Sequence, residues 1–433
     1  MTVRRNTEMK KIGLVICYFH ENYGSMLQAY ATQRIFDKLD LPNEAVYCHD
    51  PHMYMTMPKW SYYYHKLTNK DVLIDKIKRT RGKFVNRLLK TEFYSRQAIR
   101  SEKFKEFSRK TFRVSRPYAN RCELMEDSSN YAAFVVGSDQ LWSPANIDND
   151  FYTLTFVPDE IPKIAYATSF GTSSIPRYQY KKAKEFLDRF DSISVREESG
   201  RRLVEKLSGK RAEVVLDPTL LLQREEWERF SCRPPIIEGE YIFCYFLGNN
   251  RKGRRFAEKL RAETGCRIAA LLHMDEYIPE DENFADLTPY DIGPEEFVNL
   301  IRHASYVCTD SFHGTVFSII FQRRFFTFDR FDSSSTISTN TRIETLLGMA
   351  GLESRRMRED SLPENVFEEI CFSTAEDKIE KKREESLAYL AGSLAGALEL
   401  PAGLTAEKIN SIISRSEGER SDERIDQCHC SGI

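Results

Sequence analysis

Between residues 12 and 350 short apolar, β-rich runs alternate with amphipathic helical stretches, and this alternation limits the fold more than any other feature of the chain. The runs at 12–18, 133–136, 164–168, 192–195, 213–216, 241–247, 268–272, 306–308 and 325–328 predict strands. Apolar residues at helical spacing predict helices at 25–39, 178–190, 197–207, 251–264, 294–302, 314–322 and 341–350. Strands that read as near-continuous apolar runs, each followed by a helix, predict parallel sheets covered on both faces. The fold class is therefore α/β.

A chain of 433 residues is too long for one ordinary core. Pro234-Pro235 followed by Glu238-Gly239 separates two strand–helix series, so the first domain is expected at 1–234 and the second at 235–350. Residues 351–416 read as helices, one of which is expected to pack back on the first domain, and 417–433 as an unstructured tail. A net charge of −2 gives no electrostatic reason to expect a nucleic-acid partner. The ten cysteines are scattered, several of them inside apolar runs such as Ile16-Cys17-Tyr18, which suits a reducing cytoplasm better than a disulfide framework. Cys428-His429-Cys430 would need two further ligands to hold a metal, and no metal site is expected. The apolar run at 12–19 breaks at His20-Glu21-Asn22 without a cleavage-site pattern, so it reads as a first strand rather than a leader. No stretch approaches the roughly 20 apolar residues that span a bilayer.

Residues 66–116 depart from the pattern, with 17 Lys or Arg against five Asp or Glu, after the aromatic run Trp60-Ser61-Tyr62-Tyr63-Tyr64. Two readings are open for this insert at 60–116: solvated helices with one core-facing side, or a patch making peripheral contact with anionic lipid at the inner face of the membrane.

Four motifs at strand ends carry the chemistry. The stretch Asn22-Tyr23-Gly24 with Gln28 follows the first strand, where the N–H groups of a starting helix bind anions or hydroxyls. Gly137-Ser138-Asp139-Gln140 ends a buried strand and offers Asp139 as a general base, or as a turn cap. Arg196, in Ser194-Val195-Arg196-Glu197, presents a planar fork to a carboxylate or phosphate, unless Glu197 or Glu198 takes it. Thr309-Asp310-Ser311-Phe312-His313-Gly314 places an ionisable ring beside Asp, Ser and Gly at a helix start, a setting that favours function over packing.

Together with Asp217–Leu222, Tyr245–Asn250 and Ile292–Phe297, these motifs resemble, in order, those of the polysaccharide pyruvyl transferase family over roughly 12–350. The resemblance implies two Rossmann-like domains facing across a cleft, similar to the glycosyltransferase-B fold. It implies phosphoenolpyruvate as donor co-substrate without a further cofactor, and a saccharide acceptor, free or polyprenyl-diphosphate-linked. It assigns His313 and Arg196 to the donor, and aligns Arg323, in Phe321-Gln322-Arg323-Arg324-Phe325, with a family lysine. On this basis His313, Asp139 and Asp310 are expected to be catalytic, and Arg196, Arg323, Ser311 and Gly314 to bind the donor. Asn22, Tyr23, Gly24, Gln28, Ser138 and Gln140 are expected to bind the acceptor. A nucleotide-sugar-dependent glycosyltransferase of the same fold, or a non-catalytic saccharide-binding member of the family, are the alternatives.

Overall fold

The fold is that of a computed structural model, which describes residues 10–48, 50–58, 91–231, 233–273, 277–330, 340–363, 366–368 and 370–398. Two sheets, both parallel throughout, form its two halves. The first holds β1 (Lys11–Val15), β2 (Asn43–Ala45), β3 (Tyr131–Gly137), β4 (Lys163–Thr168), β5 (Ser192–Val195) and β6 (Glu213–Val214), in the order β2-β1-β3-β4-β5-β6. The second holds β7 (Tyr241–Tyr245), β8 (Arg267–Leu271), β9 (Tyr306–Thr309), β10 (Arg324–Phe328) and β11 (Arg356–Met357), in the order β11-β10-β9-β7-β8. The central strands are buried almost end to end, as a sheet with helices on both faces requires. The protein is thus α/β, with two Rossmann-like units.

Counted within each half, both sheets wind alike: the second strand lies outside the first, and the third crosses to its other side. Each sheet therefore reverses its strand order once, between β1 and β3 and between β7 and β9. Open α/β sheets bind ligands at the carboxyl ends of strands flanking such a reversal.

The halves meet over one continuous apolar core. Helix α1 (Tyr23–Lys38), after β1, packs against two helices of the second half, α7 (Pro294–His303) and α8 (Phe312–Ile320). Tyr23 stacks on Phe297 with centroids 4.5 Å apart, and its hydroxyl donates to Ile292 O at 2.8 Å. Trp227, in α5 (Arg224–Phe230), meets the Phe317 ring edge-on at 4.8 Å. Such aromatic pairs add about 0.5–1.5 kcal/mol each beyond their buried area.

Two further elements brace this seam. The basic helix α2 (Thr91–Thr111) buries Phe104 and Phe107 against the core. Its Arg100 donates to Leu272 O (2.7 Å), Pro289 O (3.0 Å) and Tyr290 O (3.0 Å) of the second half. The rest of the basic, aromatic region, at 60–90, lies outside the described residues, as do the tail at 417–433 and its Cys428-His429-Cys430. The long helix α10 (Phe372–Leu398) returns to the first sheet, where Ser386 Oγ accepts from Leu216 N at 3.0 Å and Arg383 Nε donates to Leu220 O at 2.7 Å. Among the described residues no helix is long and apolar enough to cross a membrane.

Candidate active site

At the β1–β3 reversal the backbone fixes the first polar pair. Asn22 is extended and its Oδ1 accepts from Ser25 N at 3.1 Å, which starts α1. Ser25 Oγ donates to Asp139 Oδ2 at 2.5 Å, from the turn that follows β3. That turn is tight. A Cβ at Gly137 would lie 1.8 Å from Tyr166 O, and Asp139 has φ +70°, a left-handed conformation that non-glycine residues adopt chiefly at turns and functional sites.

Arg196, directly after β5, joins two carboxylates. Its Nη2 donates to Asp139 Oδ1 at 3.1 Å and its Nη1 to Asp217 Oδ2 at 2.8 Å. Asp217 opens the 3-10 turn Pro218–Leu220 and accepts four more hydrogen-bond contacts' worth of order through Ser138 Oγ (2.8 Å), Thr219 N (3.0 Å) and Thr219 Oγ1 (2.7 Å). From the second half, α8 delivers His313 in its first turn, with Ser311 Oγ accepting from Gly314 N at 3.2 Å as the cap. His313 Nε2 stands 3.7 Å from Asp217 Oδ1, an ion-pair distance longer than a hydrogen bond. The other side of the ring lies over Gly24, where a Cβ would come within 2.0 Å of Nδ1.

The charges are close and buried, so they set one another. Burial works to raise the Asp139 carboxyl, but Arg196, His313, the Ser25 hydroxyl and Arg342 outweigh it and hold it at about 2. Asp217 is likewise held below the carboxylate range, against burial, by His313, Arg196 and Thr219. Glu197 moves the other way: burial raises it, even though Arg196 and Arg342 oppose the shift and Ser169 Oγ donates to it at 2.9 Å. Arg342, from α9 (Thr341–Ala350), is pushed down to about 9 by burial and by the like charge of Arg196, with Asp139 and Glu197 only partly compensating. Both guanidiniums lie over the Phe312 ring, Arg196 at 4.7 Å and Arg342 at 5.8 Å from its centroid. Among the described residues Arg342 pairs with no carboxylate within salt-bridge distance, and neither Arg196 Nε nor His313 Nε2 has a hydrogen-bond partner. Buried donors of this kind fit an anionic ligand.

The structure brings His313, Arg196, Asp139, Gly24, Ser138 and Gln140 together, Gln140 accepting from Arg342 Nη2 at 2.7 Å when its amide oxygen is turned that way. Asn22, Ser311 and Gly314 shape the two helix starts. Four expected residues do other work. Tyr23 is a core residue between the halves. Gln28 is fully buried and donates to Ser25 O at 2.8 Å, steadying the turn. Asp310 accepts from Leu247 N at 2.7 Å and Asn250 Nδ2 at 3.1 Å, fastening the end of β9 to the loop after β7. Arg323 corrects the alignment with the family lysine: it precedes β10, at the opposite edge of the sheet from His313, bonds to Phe321 O at 2.8 Å, and has Arg224, Tyr241, Arg302 and Glu228 as electrostatic neighbours. The second arginine of the site is Arg342. Ser25, Asp217 and Glu197 also belong to it; the first two sit inside quoted motifs whose side chains were not given a role, whereas no motif surrounds Arg342. Beside the cluster, between the halves, His20, Asn22, Leu247, Leu272 and His273 line a cavity of about 200 Å³.

The model of the family described as polysaccharide pyruvyl transferase matches residues 22–333. Among solved structures, the chain is similar to the UDP-GlcNAc 2-epimerase from Neisseria meningitidis bound to UDP-GlcNAc (9% identity, TM-score 0.43, covering 94% of this chain and 100% of that one). It is also similar to the UDP-N-acetylglucosamine 2-epimerase from Rickettsia bellii (10% identity, TM-score 0.41, covering 94% and 97%). No curated protein sequence matches the chain.

Proposed function

The chain belongs to the polysaccharide pyruvyl transferase family, and from that premise we propose that it transfers the enolpyruvyl group of phosphoenolpyruvate to a saccharide, forming a pyruvate ketal and releasing phosphate. The observation that carries this reading is the seam itself. Arg196 Nε, His313 Nε2 and the unneutralised Arg342 converge from both halves where a substrate with a carboxylate and a phosphate would need cationic partners.

His313 supplies the proton. It passes to the methylene carbon of the enol as a saccharide hydroxyl oxygen bonds to the adjacent carbon, and the hydroxyl proton replaces it on the ring. The carbon–phosphate oxygen bond then breaks. The second hydroxyl adds to the same carbon, closes the ketal and gives its proton to the departing phosphate. Asp217 orients the His313 ring, in the manner of a carboxylate behind a catalytic histidine. Asp139, held at about 2, is a poor base and serves instead as a fixed anion that aligns Arg196 and Ser25. The saccharide enters through the cavity beside Asn22 and Leu247. We place the reaction in the cytoplasm.

The test is incubation with phosphoenolpyruvate and a panel of saccharides, following phosphate release and a pyruvylated product by mass spectrometry. His313→Ala should lower turnover by about 10²–10⁴-fold, the usual size of a general acid's contribution. Full transfer by that variant would sink the mechanism. Thermal stabilisation by nucleotide sugars but not by phosphoenolpyruvate would sink the choice of donor.

A further inference from the structure

We propose that a cationic crevice at the carboxyl edge of the second sheet holds the diphosphate group of a diphosphate-linked saccharide acceptor. The inference rests on the reading above for the word acceptor, but the site itself stands on its own geometry.

The crevice has a volume of about 580 Å³. Its cations come from three separate elements: Arg251 and Lys252 from the start of α6 (Arg251–Thr264), Arg330 from the end of β10, and Arg356 and Arg358 from β11 and just beyond. Two carboxylates, Asp329 and Glu359, share the lining. Asp329 is taken up by Arg356, which donates to it at 2.8 and 3.1 Å, and Arg251 by Glu280 at 2.8 Å. The lining therefore keeps an excess of positive charge in a concave wall, where the field is focused and an anion is the natural complement.

Two details favour a ligand with more than one phosphate. In the strand order β11-β10-β9-β7, the element after β7 and the element after β11 lie three strand spacings apart, about 14 Å at ~4.8 Å each, which is wider than one phosphate can bridge. In addition, α6 opens towards the crevice. Asn250 Oδ1 satisfies Gly253 N at 2.9 Å and the first intrahelical bond runs from Arg254 N to Asn250 O, so the amides of Arg251 and Lys252 remain as outward donors of a 14-residue helix. Lys252 Nζ donates to Arg358 O at 3.0 Å, holding the two ends of the crevice in register.

The crevice also adjoins the seam. Asn250 Nδ2 bonds Asp310 Oδ2 at 3.1 Å, next to the loop that carries His313, and the charge of Arg330 reaches both Asp310 and Arg342. Since Arg196 and Arg342 already serve the donor in the proposed reaction, a second cationic site on the same edge matches the other substrate. The diphosphate could belong to a nucleoside or to a polyprenyl carrier, and the test separates the two.

Calorimetry on the full chain, without phosphoenolpyruvate, would measure binding of inorganic pyrophosphate, uridine diphosphate and geranyl diphosphate. Lys252→Gln combined with Arg358→Gln should weaken pyrophosphate at least about 10-fold, the loss expected for charge-assisted hydrogen bonds. Its melting temperature checks that the variant folds. Arg342→Gln should retain pyrophosphate binding while losing phosphoenolpyruvate. Tighter binding of either ester than of pyrophosphate supports the site and names the carrier. The proposal is overturned if the folded double variant binds pyrophosphate as well as the parent, if phosphoenolpyruvate displaces pyrophosphate, or if neither ester exceeds pyrophosphate. Failure to find a ketal product would remove the reaction and leave the mapped site; failure of the binding map would do the reverse.

Discussion

Asp139 and Asp310 stand at corresponding places, each just beyond the third strand of a sheet with the same winding, beside the reversal of strand order. Their chemistry is opposite. Asp139 faces Arg196, with His313 and Arg342 near, and is held at about 2. Asp310 meets a backbone N–H and an asparagine amide, and burial raises it above the usual carboxylate value although Leu247 N and Arg330 oppose the shift. The difference teaches that a strand-end position supplies an opportunity and that the partners decide its use. A carboxylate locked to a guanidinium is a fixed charge around which a site can be built; one tied to neutral donors is a clasp between loops.

Removing Arg196 breaks the comparison most severely. Arg196→Ala strands Asp139 and Asp217, both charged and shielded, with Asp217 having no exposed side-chain surface. Losing one partner of a buried pair costs about 3–5 kcal/mol. Urea unfolding at neutral pH should therefore show a loss of that order. A loss below about 1 kcal/mol would mean that the two carboxylates are not held as charges by this arginine.

The contrast also separates what the sequence makes legible from what it does not. The nine longer strands stand out as apolar runs because both of their faces are buried. The edge strands β2 and β11, three and two residues long, contain Asn43, Glu44 and Arg356, and carry no such signal. His313, Arg196 and Asp139 are legible because each follows a strand that can be read, and strand ends are where such sheets work. Asp310 is read the same way and misjudged, because its partners, Leu247 N and Asn250, are 63 and 60 residues distant and the chain does not announce them. Arg323 fails for a related reason: a short pattern after a helix fixes its neighbours in sequence but not the edge of the sheet on which it lands. Arg342 enters from a helix beyond the last motif, and the packing of that helix against α4 (Glu198–Ser208) and α8 is what brings it to the seam.

Asp139→Asn sharpens the comparison with a smaller, pH-dependent effect. The folded carboxyl lies near 2 against an ordinary value of 3.8, so the native state binds fewer protons than the unfolded one between those values. The stabilisation is complete above 3.8 and is lost as the pH falls through about 2. At 1.36 kcal/mol per unit it amounts to something on the order of 2 kcal/mol. Parent and variant should differ by about that much in unfolding free energy at pH 7, and the gap should shrink as the pH approaches 3. A gap that stays constant over this range would remove the charge pairing as its source.

Asp310→Asn should have the smallest effect and the opposite pH dependence. The amide keeps the shape and can still accept from Leu247 N, so about 1 kcal/mol is expected from the one hydrogen bond it makes less well. Because the folded pKa of Asp310 is raised, the native state binds more protons than the unfolded state between 3.8 and that raised value. The parent is therefore favoured below 3.8 and loses this contribution as the pH rises through the folded value. The advantage of parent over variant should be greatest in acid and narrow towards neutrality, the reverse of the Asp139 series. Turnover should remain near that of the parent, since Asp310 faces Leu247 and Asn250 rather than the seam. A loss of turnover as large as that of His313→Ala, with the fold intact, would return Asp310 to the catalytic set and erase the distinction between the two strand ends.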